Sequence, residues 1–369
     1  MCTFASARWL LPLGVACSIL LAGCGGGGGG GAAQTQAPPV TSAAPPVANV
    51  AELETRIEQL RRQLNVPGLG LAIAKDQRIV WSKGLGLADR EAVVAPTGDT
   101  SFHLASLTKT FASTVILRLV EQGLVGLDDP VSQYGVAIPN ASAITVRHLM
   151  THTSESTPPG TAFRYSGDRY QLLQQVVEKA SGQSFGSLLV SGILKPLELQ
   201  HTAPNVQDPV NFALAGLDRT EFIRNLAKPY AVNGSNTSPG TYPSLFGVSA
   251  GLIASANDVA QYSMAIDRYA FLRADTQAMA FTQASPTIPY GLGWFVQTIG
   301  GVKVIWHYGL WTANSSLIIK VPSKGLTFVA LANADTLTST VNLGNGDLMV
   351  SPVAREFVNG FVLGEAQLP

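Results

Sequence analysis

Ser106 and Lys109 stand three positions apart in Ser106-Leu107-Thr108-Lys109, a spacing that puts both side chains on one face of a helix. A serine hydroxyl is a weak nucleophile that needs a base beside it. An amine shielded from water has a lowered pKa and can be that base. The free N–H groups at a helix start suit a developing oxyanion. A Ser-x-x-Lys pair is also expected about once by chance in a chain of this length, so it carries weight only in company. Tyr165 closes the run Pro158-Pro159-Gly160-Thr161-Ala162-Phe163-Arg164-Tyr165, after a rigid turn and just before a predicted helix. A phenol beside a lysine ionises more easily and can serve as general base. Trp306-His307-Tyr308-Gly309-Leu310 ends a predicted strand. There His307 could orient a substrate carboxylate or the tyrosine, Gly309 lets the backbone come close, and the next N–H can point at an oxyanion. Taken singly, Tyr165 reads as an ordinary loop tyrosine and His307 as a structural histidine.

The elements that must position these residues follow from periodicity. Val50, Leu53, Ile57, Leu60 and Leu64 recur at three and four, so a helix covers Val50 to Leu64 until Pro67-Gly68 breaks it. Leu69 to Lys75 and Arg78 to Lys83 flank Asp76-Gln77 as a hairpin. Phe111 to Val120 is apolar enough for a buried helix that starts near Ser106 and ends at Gly123. Ile144 to His152 and Arg169 to Ala180 are further helices, and Ser255-Ala256-Asn257-Asp258 resembles a capping box. The last third holds β-rich runs at Tyr290 to Gln297, Val302 to Trp306, Ser315 to Val321 and Thr327 to Asn333, then a closing helix around Phe357 and Val358. The expected class is α+β: an antiparallel sheet built from both chain ends and flanked by helices, with an inserted all-helical subdomain.

Composition excludes several functions. The 369 residues are 46% hydrophobic with no net charge, enough for a large core and without the basic patch that nucleic acid requires. Residues 1–23 carry an apolar run too short to span a bilayer comfortably, ending in Leu21-Ala22-Gly23-Cys24. This resembles a bacterial lipoprotein signal, which implies cleavage before Cys24 and lipidation of its thiol. Residues 24–50, with unbroken glycine from Gly25 to Gly31 and then an Ala/Pro-rich stretch, read as a flexible tether. The expected product is a domain over 51–369, lipid-anchored in the cell envelope and facing the periplasm from the outer membrane. The three cysteines all fall in 1–24, so thiol nucleophiles and thiolate metal sites are excluded from that domain.

Together the motifs resemble the penicillin-recognising serine hydrolases, nearest the group of class C β-lactamases, D-alanyl-D-alanine peptidases and related esterases. The resemblance runs over nearly all of 51–369. It takes in Phe102-His103-Leu104-Ala105-Ser106, Leu127-Asp128-Asp129-Pro130, Val146 to Ser154, Pro159-Gly160-Thr161, Ala250-Gly251-Leu252, Tyr290 to Trp294 and the His307 run. It implies Ser106 as nucleophile, Lys109 as its activator, Tyr165 as general base, and His307 and Gly309 as substrate recognition at a sheet edge. The N–H groups of Ser106 and Leu310 would form the oxyanion hole. It implies no cofactor and no metal, and a small-molecule or peptide-like substrate. The chain departs from the pattern at Gly167, where an asparagine usually follows the tyrosine. Asp168 beside it is a partial substitute by position, though as a charge. Glu155 replaces a usual glycine in a shortened loop. Hydrolysis of an ester, a D-amino-acid peptide or a β-lactam through an acyl-Ser106 intermediate is one reading, and a surface-tethered binding protein that kept the fold and lost turnover is the other.

Two rival sites read as structure. Gly182-Gln183-Ser184-Phe185-Gly186 matches a nucleophile elbow, but that motif needs a strand before it, whereas Ser184 follows a helix and reads as a cap. His148 and His152, four apart, resemble a zinc pair without a third ligand.

Overall fold

The computed structural model describes residues 45–369. The expected signal, Cys24 and most of the expected tether lie outside the described residues. The packed unit begins at Pro45, ahead of the expected start at 51. Val47 is buried in the core, and Asn49 caps the first helix by accepting a hydrogen bond from the Glu52 N–H at 3.0 Å.

That helix, α1 (Val50–Gln63), buries Val50, Leu53 and Ile57. The hairpin β1 (Gly68–Lys75) and β2 (Arg78–Gly86) follows, then β3 (Ser101–His103) and a short 3-10 turn at Ala105–Leu107 leading into α2 (Thr108–Glu121). Next come α3 (Val146–Met150), α4 (Gly167–Gln171), α5 (Leu173–Ser181), α6 (Phe185–Leu189), the two-residue β4 (Ala203–Pro204), α7 (Pro209–Ala215) and α8 (Arg219–Arg224). The ribbon β5 (Tyr230–Asn233) and β6 (Asn236–Pro239), then β7 (Leu252–Ser255), α9 (Ala256–Asp267) and α10 (Ala274–Ala280) lead to the meander β8 (Phe295–Ile299), β9 (Val302–Trp311), β10 (Asn314–Val321) and β11 (Leu326–Ala332). After α11 (Thr336–Ser339), α12 (Pro352–Phe357) runs on as a π-helical turn to Leu363.

The main sheet has the order β2-β1-β11-β10-β9-β8, every pair antiparallel. The N-terminal hairpin joins the last strand, with Ala72 opposite Val329, so both chain ends build the sheet as expected. Its faces divide by the two-residue period of a strand: Leu69, Leu71 and Ile73 pack on the α1 and α12 side, whereas Ala72 and Ala74 face the core containing α2, α5 and α9. The insert between β2 and β8 is mainly helical but also holds the small sheets β3-β7-β4 and β5-β6.

Helix α2 is buried on every side, the situation that requires each of its polar side chains to find a partner. Ser113 donates to the Leu292 carbonyl at 2.6 Å, and Thr114 pairs with the Tyr262 hydroxyl at 2.7 Å. At Ser255 the serine does cap α9, but Asp258 does not complete a capping box. Its carboxylate turns to the His201 N–H and the Thr202 hydroxyl, because burial obliges it to take the donors that the β3-β7-β4 corner offers.

Candidate active site

Ser106 lies on the 3-10 turn just ahead of α2, not within the regular helix. The residue before it, Ala105, has φ +48, a left-handed conformation uncommon for alanine and typical of functional turns. Ser106 thus stands on the turn between β3 and α2, while Lys109 lies in the first turn of α2. Lys109 Nζ donates to Ser106 Oγ at 2.9 Å and to the Ser249 carbonyl at 2.8 Å. The lysine is fully buried, with the Tyr165 and Tyr170 ring centroids 5.3 and 5.4 Å from Nζ. Burial lowers its pKa to about 7, with the Asp168 charge opposing the fall. A substantial neutral fraction at ordinary pH therefore faces the serine, as a base requires.

Tyr165 reaches the same place from the end of the Pro158 turn. Its ring is stacked on Phe295 at 5.8 Å and packed on His152 at 4.3 Å, and its buried hydroxyl has no hydrogen-bond partner. The expectation that a neighbouring lysine would ease its ionisation is not met. Burial raises the phenol well above its ordinary value, and Tyr308 adds to the rise. The same burial favours the neutral O–H form of Tyr165, a form that can give a proton.

His307 also differs from expectation. Strand β9 continues to Trp311, so His307 is mid-strand and fully buried. Its Nδ1–H donates to the Tyr308 carbonyl at 2.6 Å, and Nε2 accepts from the Tyr290 hydroxyl at 2.8 Å. Burial first, then the Lys109 charge, lower its pKa to about 3. In this arrangement both ring nitrogens are engaged by protein groups, and the ring lies 6.2 Å from that of Tyr165, the tyrosine it was expected to orient if not a substrate carboxylate. It anchors Tyr290, whose ring braces Phe295 and, more distantly, Tyr165.

Gly309 is required by contact. A Cβ there would stand 2.1 Å from the Leu104 carbonyl oxygen and 2.3 Å from Ser316 Oγ. The absence of that atom lets β9 lie against the backbone that carries Ser106, the close approach an oxyanion pair from the Ser106 and Leu310 N–H groups needs. The Leu310 side chain itself is exposed.

Gly167 occupies the first position of α4, and a Cβ added there meets nothing within 4 Å. Asp168 is exposed beside it, acting on Lys109 through its charge. Removing that charge should lower the Lys109 pKa further. Asp168→Asn is therefore expected to move the acidic limb of the kcat/KM profile, which should lie near the Lys109 value of about 7, to lower pH by a fraction of a unit, the shift being small because water screens an exposed charge. Titrating both forms between mild acid and mild alkali checks this, and an upward shift would assign the limb to another group.

The rival sites behave as structure. Ser184 caps α6, accepting from the Ser187 N–H at 3.1 Å. His148 lies within α3, where Nδ1 accepts from the Thr145 N–H. His152 lies beyond the end of that helix with φ +56, so the two do not share a face. Instead His152 is buried against Tyr165 and Tyr170, with Nδ1 accepting from the Ser166 N–H at 3.2 Å. Its place in the site was hidden in the sequence because α3 stops at Met150. Glu155 pairs with Arg164 across the short loop.

The profile of the family described as Beta-lactamase matches residues 53–346. Protein flp of Staphylococcus aureus (strain MW2) is 24% identical over 335 residues, covering 77% of this chain and 63% of its own length. The chain spans less than two thirds of the length of the first such curated relatives. Among solved structures, the octameric penicillin-binding protein homologue from Pyrococcus abyssi superposes with a TM-score of 0.73 at 22% identity, covering 86% of this chain and 78% of that one. A D-stereospecific amidohydrolase from Streptomyces sp. superposes with a TM-score of 0.64 at 23% identity, covering 83% and 98%. At those identities the structural likeness speaks to the fold alone.

Proposed function

Because the chain belongs to the beta-lactamase family, we propose that it is a serine hydrolase that transfers the acyl group of an ester or a D-amino-acid-type amide through an acyl-Ser106 intermediate. The observation that carries this is the 2.9 Å contact between Ser106 Oγ and an amine whose burial lowers its pKa to about 7. Neutral Lys109 accepts the Ser106 proton as Oγ bonds to the substrate carbonyl carbon. The carbonyl electrons move onto oxygen, which the Ser106 and Leu310 N–H groups stabilise. When the intermediate collapses, the bond to the leaving group breaks and Tyr165 O–H supplies its proton, refilled from the Lys109 ammonium. Water then attacks the acyl-enzyme by the same route in reverse, returning free Ser106 and a carboxylic acid.

Gly167 bears on substrate choice. A site that lacks a polar partner for the substrate amide loses discrimination in favour of amides, while an ester needs none because its alkoxide leaves more readily than an amine. Wild type is expected to hydrolyse p-nitrophenyl butyrate measurably, and nitrocefin at a kcat/KM below about 10⁴ M⁻¹s⁻¹, the low end for good enzymes. Gly167→Asn, which the open space at that position accommodates, should raise nitrocefin turnover relative to ester turnover. Efficient wild-type nitrocefin hydrolysis would overturn this account of Gly167. Intact-mass measurement after a fluorophosphonate, penicillin and an activated ester tests the reading as a whole. No mass gain with any of them would leave the tethered binding protein as the better account.

A further inference from the structure

We propose that Gln171 is a positioning residue for Lys109: through Ser249 it aims the amine at Ser106, supplying from the last residue of α4 the hold that Gly167, at the first, cannot give. The inference rests on the serine hydrolase reading above. A neutral amine has two hydrogens and one lone pair. With one hydrogen fixed on the Ser249 carbonyl at 2.8 Å, a second tetrahedral position of the nitrogen faces Ser106 Oγ at 2.9 Å, where the charged amine donates and the neutral amine can set its lone pair to accept the serine proton. The direction of that carbonyl therefore sets the direction of the base.

The carbonyl is held from one side chain. Ser249 lies in a tight turn closed by the Gly247 N–H on the Ala250 carbonyl at 2.9 Å. Both its N–H, at 3.2 Å, and its hydroxyl, at 2.6 Å, donate to Gln171 Oε1. Gln171 Nε2 donates to Gln174 Oε1 at 2.7 Å, and Gln174 Nε2 donates to Glu178 Oε1 at 3.0 Å. A carboxylate only accepts, so Glu178 fixes the sense of the whole chain: Gln174 must turn its NH2 outward and its oxygen to Gln171, and Gln171 must turn its oxygen to Ser249. The turn sits hard against this row, since a Cβ at Gly247 would come within 2.4 Å of Gln174 Oε1 and 2.5 Å of Gln171 Nε2. Gly167 and Gln171 are four apart on α4 and so lie on one helix face.

The test is the pre-steady-state acylation of the described domain by p-nitrophenyl butyrate, with the acylation rate constant and substrate affinity measured separately across pH. Gln171→Met keeps the length and removes the acceptor. It should slow acylation by about tenfold or more, the order expected for a small misplacement of a reacting group, with affinity unchanged and Tm within a few degrees. Gln171→Glu keeps the acceptor toward Ser249, and Gln174 can turn its NH2 to the new carboxylate while half-buried Glu178 swings to solvent, so on its alkaline plateau it should acylate within about threefold of wild type. Its acidic limb should move to higher pH because a carboxylate there favours the protonated amine. A wild-type rate in Gln171→Met, or equal plateau losses in the two variants, would overturn the inference while leaving the hydrolase reading intact. A wild type that never acylates overturns both. Should Gln171→Met fail to fold, Ser249→Ala, which keeps the carbonyl and removes one of its two holds, decides the matter with Gln171→Glu. A smaller loss in acylation at unchanged affinity supports positioning, and no loss rejects it.

Discussion

Ser106→Ala is expected to abolish acyl-enzyme formation, and Lys109→Ala and Tyr165→Phe each to lower the acylation rate by at least about 10²-fold, within the 10²–10⁴ range typical of removing a positioned proton donor or acceptor. The two losses should not multiply. The proton that leaves Ser106 for Lys109 is the one that refills Tyr165 once the phenol has given its own to the leaving group, so the pair act as a unit and the double variant should be little worse than either single one. Stopped-flow acylation of the four proteins checks this, and multiplicative losses would show that the residues serve different steps. Lys109 also carries a signature in stability. Its pKa of about 7 in the folded protein lies below the ordinary 10.5, so between those values the unfolded chain binds the extra proton. Wild-type stability should therefore rise as pH increases through that window. Lys109→Met removes the buried cation, and should raise Tm at neutral pH by a few degrees and flatten the pH dependence while it destroys activity, the trade expected of a residue kept for chemistry.

Gly309→Ala should cost as much in rate from an added methyl group. The nearest atom to that methyl is backbone, the Leu104 carbonyl oxygen at 2.1 Å, so no side-chain rotation relieves the clash. Strand β9 would have to withdraw from the Ser106 turn, taking the Leu310 N–H with it. Loss of one oxyanion donor typically costs about 10²–10³ in kcat, and a fall of that order in kcat is expected. Ser316 Oγ, the second clash, donates to the same Leu104 carbonyl at 2.6 Å. Ser316→Ala should therefore fail to rescue Gly309→Ala, since the closer contact remains. Leu310→Ala should stay near wild type, because the proposed role uses only the backbone N–H. Recovery of activity in the Gly309→Ala, Ser316→Ala double variant would show that the strand does not hold the oxyanion.

Much of this was written in local pattern. The three-and-four recurrence from Val50 fixed α1 to within a residue of its end, since Pro67 and Gly68 leave a helix nowhere to continue. The hairpin and meander were legible because β1 and β11, buried on both faces, read as largely apolar runs, and β10 carries the apolar stretch Leu317 to Ile319 between its polar ends. Ser106, Lys109, Tyr165 and Gly309 were legible as candidates because reactive side chains and close-approach glycines stand out by type and order along the chain.

What pattern could not convey is how those residues face one another, because that depends on contacts between segments far apart in the chain. Tyr165 looked like a group that a lysine would ionise, and its burial among Phe295, His152 and Tyr290 reverses the direction of its pKa. His307 looked free to meet a substrate until Tyr290 took its second nitrogen. Gln171 carried no motif, and it matters only because Ser249 returns to it from 78 positions along the chain. Residue types announced the candidate chemistry, while desolvation and hydrogen-bond direction, which exist only once the core has closed, set the protonation state each group favours.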